Sequence, residues 1–196
     1  KNLSWPVCCW FVGTNFEQQK KRILFVGKNA RGYNELKSLE MVFNDGRKLW
    51  EKNWAYWSYT REIVKEIYGN ESAENIAFTN IIKCNQSDGE DITSDSTMDF
   101  CIKKKAVILE EIKIIKPTHI VFYTNTKYDK YIKNNIFEKF NIIIDNKKVC
   151  GAKQIHWLEA YGSIGEEKYS ILRTDHPERK KKKDFIANII EWINNN

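Results

Sequence analysis

Four apolar residues running straight into a glycine, Ile23-Leu24-Phe25-Val26-Gly27, constrain this chain more than any other stretch. A short run with no polar break reads as a strand buried on both faces, the kind found in the middle of a parallel sheet. The glycine permits a sharp turn and the close approach of a ligand. The chain then turns polar, through Lys28-Asn29-Ala30-Arg31-Gly32-Tyr33. In open α/β sheets ligands bind beyond the carboxyl ends of the strands, so Lys28 to Tyr33 are expected at the site, whatever its chemistry.

Strand and helix patterns alternate along the rest of the chain. Trp5 to Gly13 is apolar and ends at a glycine, which suits an edge strand or a packed arm. Glu35 to Asn44 reads as irregular or partly helical, and Asp45 to Tyr68 as a helix stopped by Gly69-Asn70. Ile76 to Ile82 is a second buried strand, followed by a loop from Cys84 to Thr93. Ser94 to Lys116 is the clearest helix, with Cys101, Ile108, Ile112 and Ile115 on one face and Pro117 at its end. Thr118 to Thr124 is a third strand and Lys127 to Phe140 a helix. Ile142 to Cys150 looks like a hairpin turning at Asp145–Lys147. Gln154 to Tyr161 and Tyr169 to Thr174 are further strands, and Phe185, Ile186, Ile189, Ile190 and Ile193 give a final helix its apolar face. This alternation predicts one α/β domain over residues 1–196, a three-layer α/β/α sandwich with a mostly parallel central sheet.

Composition narrows the setting. Five cysteines without a secretory leader favour reduced thiols and a cytoplasmic location, and no apolar run approaches membrane-spanning length. The chain opens on Lys1 rather than Met, so residues upstream are expected. A net charge of +6 only permits a nucleic-acid partner, but Arg179-Lys180-Lys181-Lys182-Lys183 concentrates that charge in one block. A monomer with no membrane partner is expected.

Three strand ends carry similar punctuation: Gly27-Lys28-Asn29, Thr79-Asn80-Ile81-Ile82-Lys83-Cys84 and Thr174-Asp175-His176-Pro177-Glu178. In a parallel sheet they converge on one edge. Two amides and an imidazole donate and accept hydrogen bonds without a fixed charge, which suits a planar neutral heterocycle better than a phosphate. No paired acidic motif for a metal stands at these strand ends, which argues against a nucleotide hydrolase. His119 and His156 are expected to be structural.

Val26-Gly27, Phe43 with Gly46 and Leu49, Thr79 to Cys84, Cys101, and His176-Pro177 follow one another in a familiar order. On these motifs the chain, from about Ile23 to about Ile193, resembles the uracil-DNA glycosylase superfamily, most closely its bacterial and archaeal branch with an iron–sulfur cluster. The resemblance implies a DNA-repair hydrolase of base excision, which flips a base out of the stack and holds it by edge and face. By that resemblance Asn29 positions or activates the attacking water. Gly27 lets the base approach, Phe43 stacks on it and Asn80 reads its polar edge. His176 stabilises the charge that builds on the base as the glycosidic bond breaks. The Pro177 loop, with Arg179, Lys180, Lys181 and Lys182, presses on the DNA backbone or fills the gap left by the extruded nucleotide. Cys84 and Cys101 are the candidate cluster ligands, and no other cofactor is implied.

The chain departs from the family at three places. Ala30-Arg31 stands where the family has Pro-Gly, Glu178 where it has a small residue, and Cys8 and Cys9 are adjacent rather than spaced as CxxC. These departures keep a second expectation open: a catalytically weak or inactive glycosylase-fold protein that binds DNA or a nucleobase without cutting.

Overall fold

The computed structural model describes residues 4–30, 32–84, 93–150 and 155–196. Seven strands form one mixed sheet: β1 Cys9–Val12, β2 Ile23–Asn29, β3 Ala77–Ile82, β4 His119–Tyr123, β5 Ile143–Cys150, β6 Ile155–Ile164 and β7 Glu167–Thr174. Their order is β1-β3-β2-β4-β7-β6-β5. The four central strands run parallel. β1 joins β3 antiparallel at one edge, and the β5–β6 hairpin extends the sheet antiparallel beyond β7.

The unbroken apolar runs follow from burial on both faces, because successive side chains on a strand point to opposite sides. Ile23, Phe25, Phe78, Val121, Tyr123 and Leu172 enter one core. Their neighbours Leu24, Val26, Ala77, Ile120, Phe122 and Ile171 enter the other. The first core is roofed by α1 Leu39–Trp50, α2 Ala55–Tyr68 and α6 Lys182–Asn195. The second is roofed by α3 Asp95–Met98, α4 Val107–Ile115 and α5 Asp129–Ile132 together with the turns beside them. The expected three layers and mostly parallel sheet are present. Among the described residues no helix is long and apolar enough to cross a membrane.

Several elements differ from their sequence reading. The helix expected over 45–68 is two helices, and the first starts earlier. The Ser38 side chain caps α1 by accepting from the Met41 N–H, so residues 39–44 are the helical part of the stretch expected to be irregular or partly helical. α1 stops at Trp50, and Arg61 from α2 reaches back to donate to the carbonyls of Trp50 and Lys52 and to Asn53 Oδ1. That guanidinium satisfies carbonyls which helix ends leave without partners. The stretch 94–116 is also divided. A π-helical segment, Asp99–Lys105, lies between α3 and α4, and Ala106 follows it with a left-handed φ of 49°. Residues 126–140 are helical but change pitch, passing from a 3-10 turn through α5 and a π-helical turn to a second 3-10 turn.

The hairpin expected within Ile142–Cys150 does not form; that stretch is a single strand, β5, which pairs antiparallel with β6. β5 runs through the expected turn at 145–147 to Cys150, which pairs with Ile155. The polar signal at Asp145 marks a register shift between Ile144 and Asn146, a bulge that interrupts the ladder without reversing the chain. Arg31, most of the Cys84–Thr93 loop and Gln154 lie outside the described residues.

Two expectations for histidines are met in structural form. His119 is buried, its Nδ1 2.8 Å from Thr118 Oγ1 and its ring edge-on to Trp192. Burial and then the Lys21 charge lower it to about 4. His156 offers its backbone N–H and its Nδ1 to Asp175 Oδ2, at 3.0 and 3.2 Å.

Candidate functional site

The register of the central strands builds the site. Parallel pairing places Phe25 beside Phe78, and Gly27 beside Asn80. Residues two apart on a strand share a face. On β2, therefore, Phe25 in the core is followed outward by Gly27 and then Asn29; on β3, Phe78 is followed by Asn80. Where the apolar ladder gives way to glycine and amides, a cleft of about 510 Å³ opens. Its floor is Gly27 to Ala30 with Phe78 to Asn80; its walls are Trp10, Leu49, Trp54 to Trp57, His176 and Glu178. It lies beyond the carboxyl ends of the strands, where β2 has β3 on one side and β4 on the other, the usual ligand position in open α/β sheets. Gly27, Asn29, Asn80 and His176, the four polar or glycine positions expected at a base site, are brought together.

Each polar group has a defined state. Trp10 Nε1 donates to Asn80 Oδ1 at 2.7 Å. Asn80 Nδ2 lies over Gly27, where a Cβ would stand only 2.5 Å from it and 3.3 Å from Tyr56 Cε2. Asn29 Nδ2 is buried with no hydrogen-bond partner among the described residues. The Glu178 N–H donates to His176 Nδ1 at 3.3 Å, so a neutral ring keeping this bond carries its proton on Nε2. The loop that carries His176 is pinned on both sides. Asp175 takes Lys180 Nζ at 2.7 Å as well as both His156 bonds, and Tyr59 Oη donates to the Lys180 carbonyl at 3.0 Å. Burial alone would raise the Asp175 carboxyl; Lys180 and His156 more than offset that and hold it below the usual range. The Tyr56 ring stands 6.0 Å from His176 and edge-on to Tyr123, and burial, with Tyr123 beside it, pushes its phenol well above the ordinary value.

No protein-family model matches the chain, and no curated protein sequence matches it.

Phe43 does not reach the cleft. Because α1 begins at Leu39, Phe43 falls on a helical face turned to β1 and packs against Phe11, ring centroids 5.7 Å apart. The aromatic surfaces at the cleft are Trp10, Trp54, Tyr56, Trp57 and Phe78. The sequence reading missed them, although the dense Trp54-Ala55-Tyr56-Trp57 run opening a helix was a visible signal. The basic block is largely paired within the chain: Lys180 with Asp175, Lys181 with Asp184 and Lys182 with Glu62. Arg179 turns the chain with a φ of 65° and is exposed.

Cys84 and Cys101 do meet, with sulfurs 3.7 Å apart and both side chains buried. The contact between the two thiols lowers Cys101 and raises Cys84, so one proton is held between them. Cys9 Sγ instead faces the Phe11 and Phe78 carbonyls, and Cys8 is exposed. Among the described residues no three His, Cys, Asp or Glu side chains are grouped to hold a metal. Two thiols do not make the ligand set of an iron–sulfur cluster.

The close approach at Gly27 gives a direct prediction. Gly27→Ala forces the Asn80 amide and the Tyr56 ring apart. We expect a loss of about 1–3 kcal/mol of stability in urea denaturation, and a loss of ligand affinity greater than that of a remote variant of equal stability.

Proposed function

We propose that this protein is a DNA glycosylase that takes a flipped-out uracil, or a related damaged base, into the cleft and hydrolyses its N-glycosidic bond. One observation carries the reading. Asn29, Asn80 and His176 converge on a single aromatic-walled cleft at the strand ends, and Asn29 brings a buried N–H with no partner among the described residues. A buried unsatisfied donor costs about 1–3 kcal/mol, a cost a ligand or its attacking water removes. Flat aromatic walls and a few convergent hydrogen-bonding groups suit a planar base.

The roles are those that the resemblance to the uracil-DNA glycosylases implies, set on these positions. Tyr56 offers ring surface to the face of the base, and Asn80 meets its polar edge. Asn29, at the end of β2, holds the water that attacks the sugar carbon. The His176 N–H supports the oxygen on which negative charge gathers as the base departs, and a donor fixed beforehand is effective because it need not reorganise during the reaction. The exposed Arg179 and Lys183 are the cations of the block best able to meet a DNA backbone. The free thiols of Cys8, Cys9, Cys84 and Cys101 agree with a cytoplasmic setting.

The test is incubation with single- and double-stranded oligonucleotides carrying uracil and other deaminated bases, followed by alkaline cleavage. Strand breaks at the lesion are expected, and His176→Ala is expected to remove most of them. Glu178 at the cleft and the internal pairing of Lys180, Lys181 and Lys182 favour a second reading, a base or DNA binder that does not cut. Binding without cleavage at any lesion would establish that reading and sink the first.

A further inference from the structure

We propose that Trp10 is the positioning residue that decides which base edge the cleft accepts; this rests on reading the cleft as a base pocket. An asparagine amide is ambiguous, since turning it over exchanges an acceptor for a donor. An indole removes the ambiguity, because it has an N–H and no acceptor. Trp10 Nε1 donates to Asn80 Oδ1 at 2.7 Å. The amide cannot turn over without setting its NH2 against the indole N–H. Its Nδ2 is therefore committed to the Gly27 side, on the cleft floor.

Trp10 is itself firmly held. It is 8% exposed. Its ring lies 5.9 Å from that of Tyr33, whose hydroxyl donates to Asp45 Oδ2 at 2.9 Å. Helix α1 presses on the same strand at Gly46, where a Cβ would stand 2.6 Å from the Trp10 carbonyl oxygen. Asn29 Nδ2, buried and unpartnered, is a second N–H at the same end of the sheet. The cleft thus offers its ligand donors, and it favours a base bearing exocyclic carbonyl oxygens over one bearing an amino group in the same place. Selectivity for oxo over amino bases is set from β1, by a residue that need not touch the base edge itself.

Trp10→Phe keeps an aromatic ring and removes the N–H. The ratio of kcat/KM on uracil-containing to cytosine-containing single-stranded oligonucleotides is measured for wild type and Trp10→Phe, with free uracil and cytosine binding measured by calorimetry. We expect the uracil preference to fall at least about tenfold, beyond the effect of a remote variant matched to it in urea midpoint. In 15N-labelled wild type, the Trp10 indole N–H is expected to exchange with deuterium far more slowly than that of exposed Trp54. An unchanged preference with both rates lowered equally assigns Trp10 a packing role and overturns the inference, leaving the base pocket standing. Rapid exchange of the Trp10 N–H overturns it too, even if Trp10→Phe does not fold. Failure of wild type to bind or cleave either base overturns the base-pocket reading, and this inference with it.

Discussion

Replacing Asn29 by alanine is expected to leave the fold as stable as wild type, within about 1 kcal/mol, while lowering glycosidic cleavage about 10²- to 10³-fold. The two halves of this expectation come from one atom. Asn29 Nδ2 is buried without a partner, so its removal relieves a desolvation cost that offsets the packing lost. A residue kept for structure behaves in the opposite way, because its bonds are made within the protein. Urea denaturation and single-turnover cleavage, measured on the same preparation, separate these behaviours. A loss of more than about 2 kcal/mol with proportionate loss of activity would show that Asn29 is scaffold.

The largest stability effect is expected on the other face of β3. Lys83 Nζ stands 2.5 Å from Glu111 Oε2 and 2.9 Å from Thr79 Oγ1, and it also reaches the Cys8 carbonyl at 3.4 Å. Thr79 Oγ1 lies 3.0 Å from the same carboxylate oxygen. Both charges are buried, and Glu111 Oε1 has no partner. Lys83→Met leaves that carboxylate uncompensated and should cost about 3–5 kcal/mol, a large part of the stability of an ordinary domain. The double variant Lys83→Met, Glu111→Leu should recover most of the loss, since apolar replacement of a buried pair is often neutral or better. Chemical denaturation of the two single variants and the double variant checks this. A double variant no more stable than Lys83→Met would mean that the pair holds the fold by more than mutual neutralisation.

These two predictions show how unevenly the site was legible. The stretch Thr79 to Cys84 reads in sequence as one motif, but alternation along the strand divides it. Asn80 turns to the cleft, while Thr79 and Lys83 close a buried network behind it. The parallel strands were readable because burial on both faces leaves an unbroken apolar run, as in Ile23 to Val26. The convergence of Asn29, Asn80 and His176 was readable because parallel strands bring their carboxyl ends together. The helix boundaries were not. The break after Trp50 depends on Arg61 supplying donors from the next helix, a tertiary contact that local periodicity does not encode. The misplacement of Phe43 follows from the other end of α1, which starts at Leu39 under the Ser38 cap. The clamp on Asn80 was hidden for a related reason: Trp10 is 70 residues away in sequence, and nothing near Asn80 announces it.

The place of Trp10 in the sheet has a dynamic consequence. β1 is four residues long, lies at the edge, and carries a register shift between Cys9 and Phe11. Short edge strands belong to the units that open locally at a free energy well below that of global unfolding. When β1 lifts away, the central parallel strands stay paired, but Asn80 loses the partner that fixes its amide. The cleft then loses its Trp10 wall and, on the base-pocket reading, its chemical preference. On that reading, discrimination is expected to fade with temperature or denaturant before the fold does.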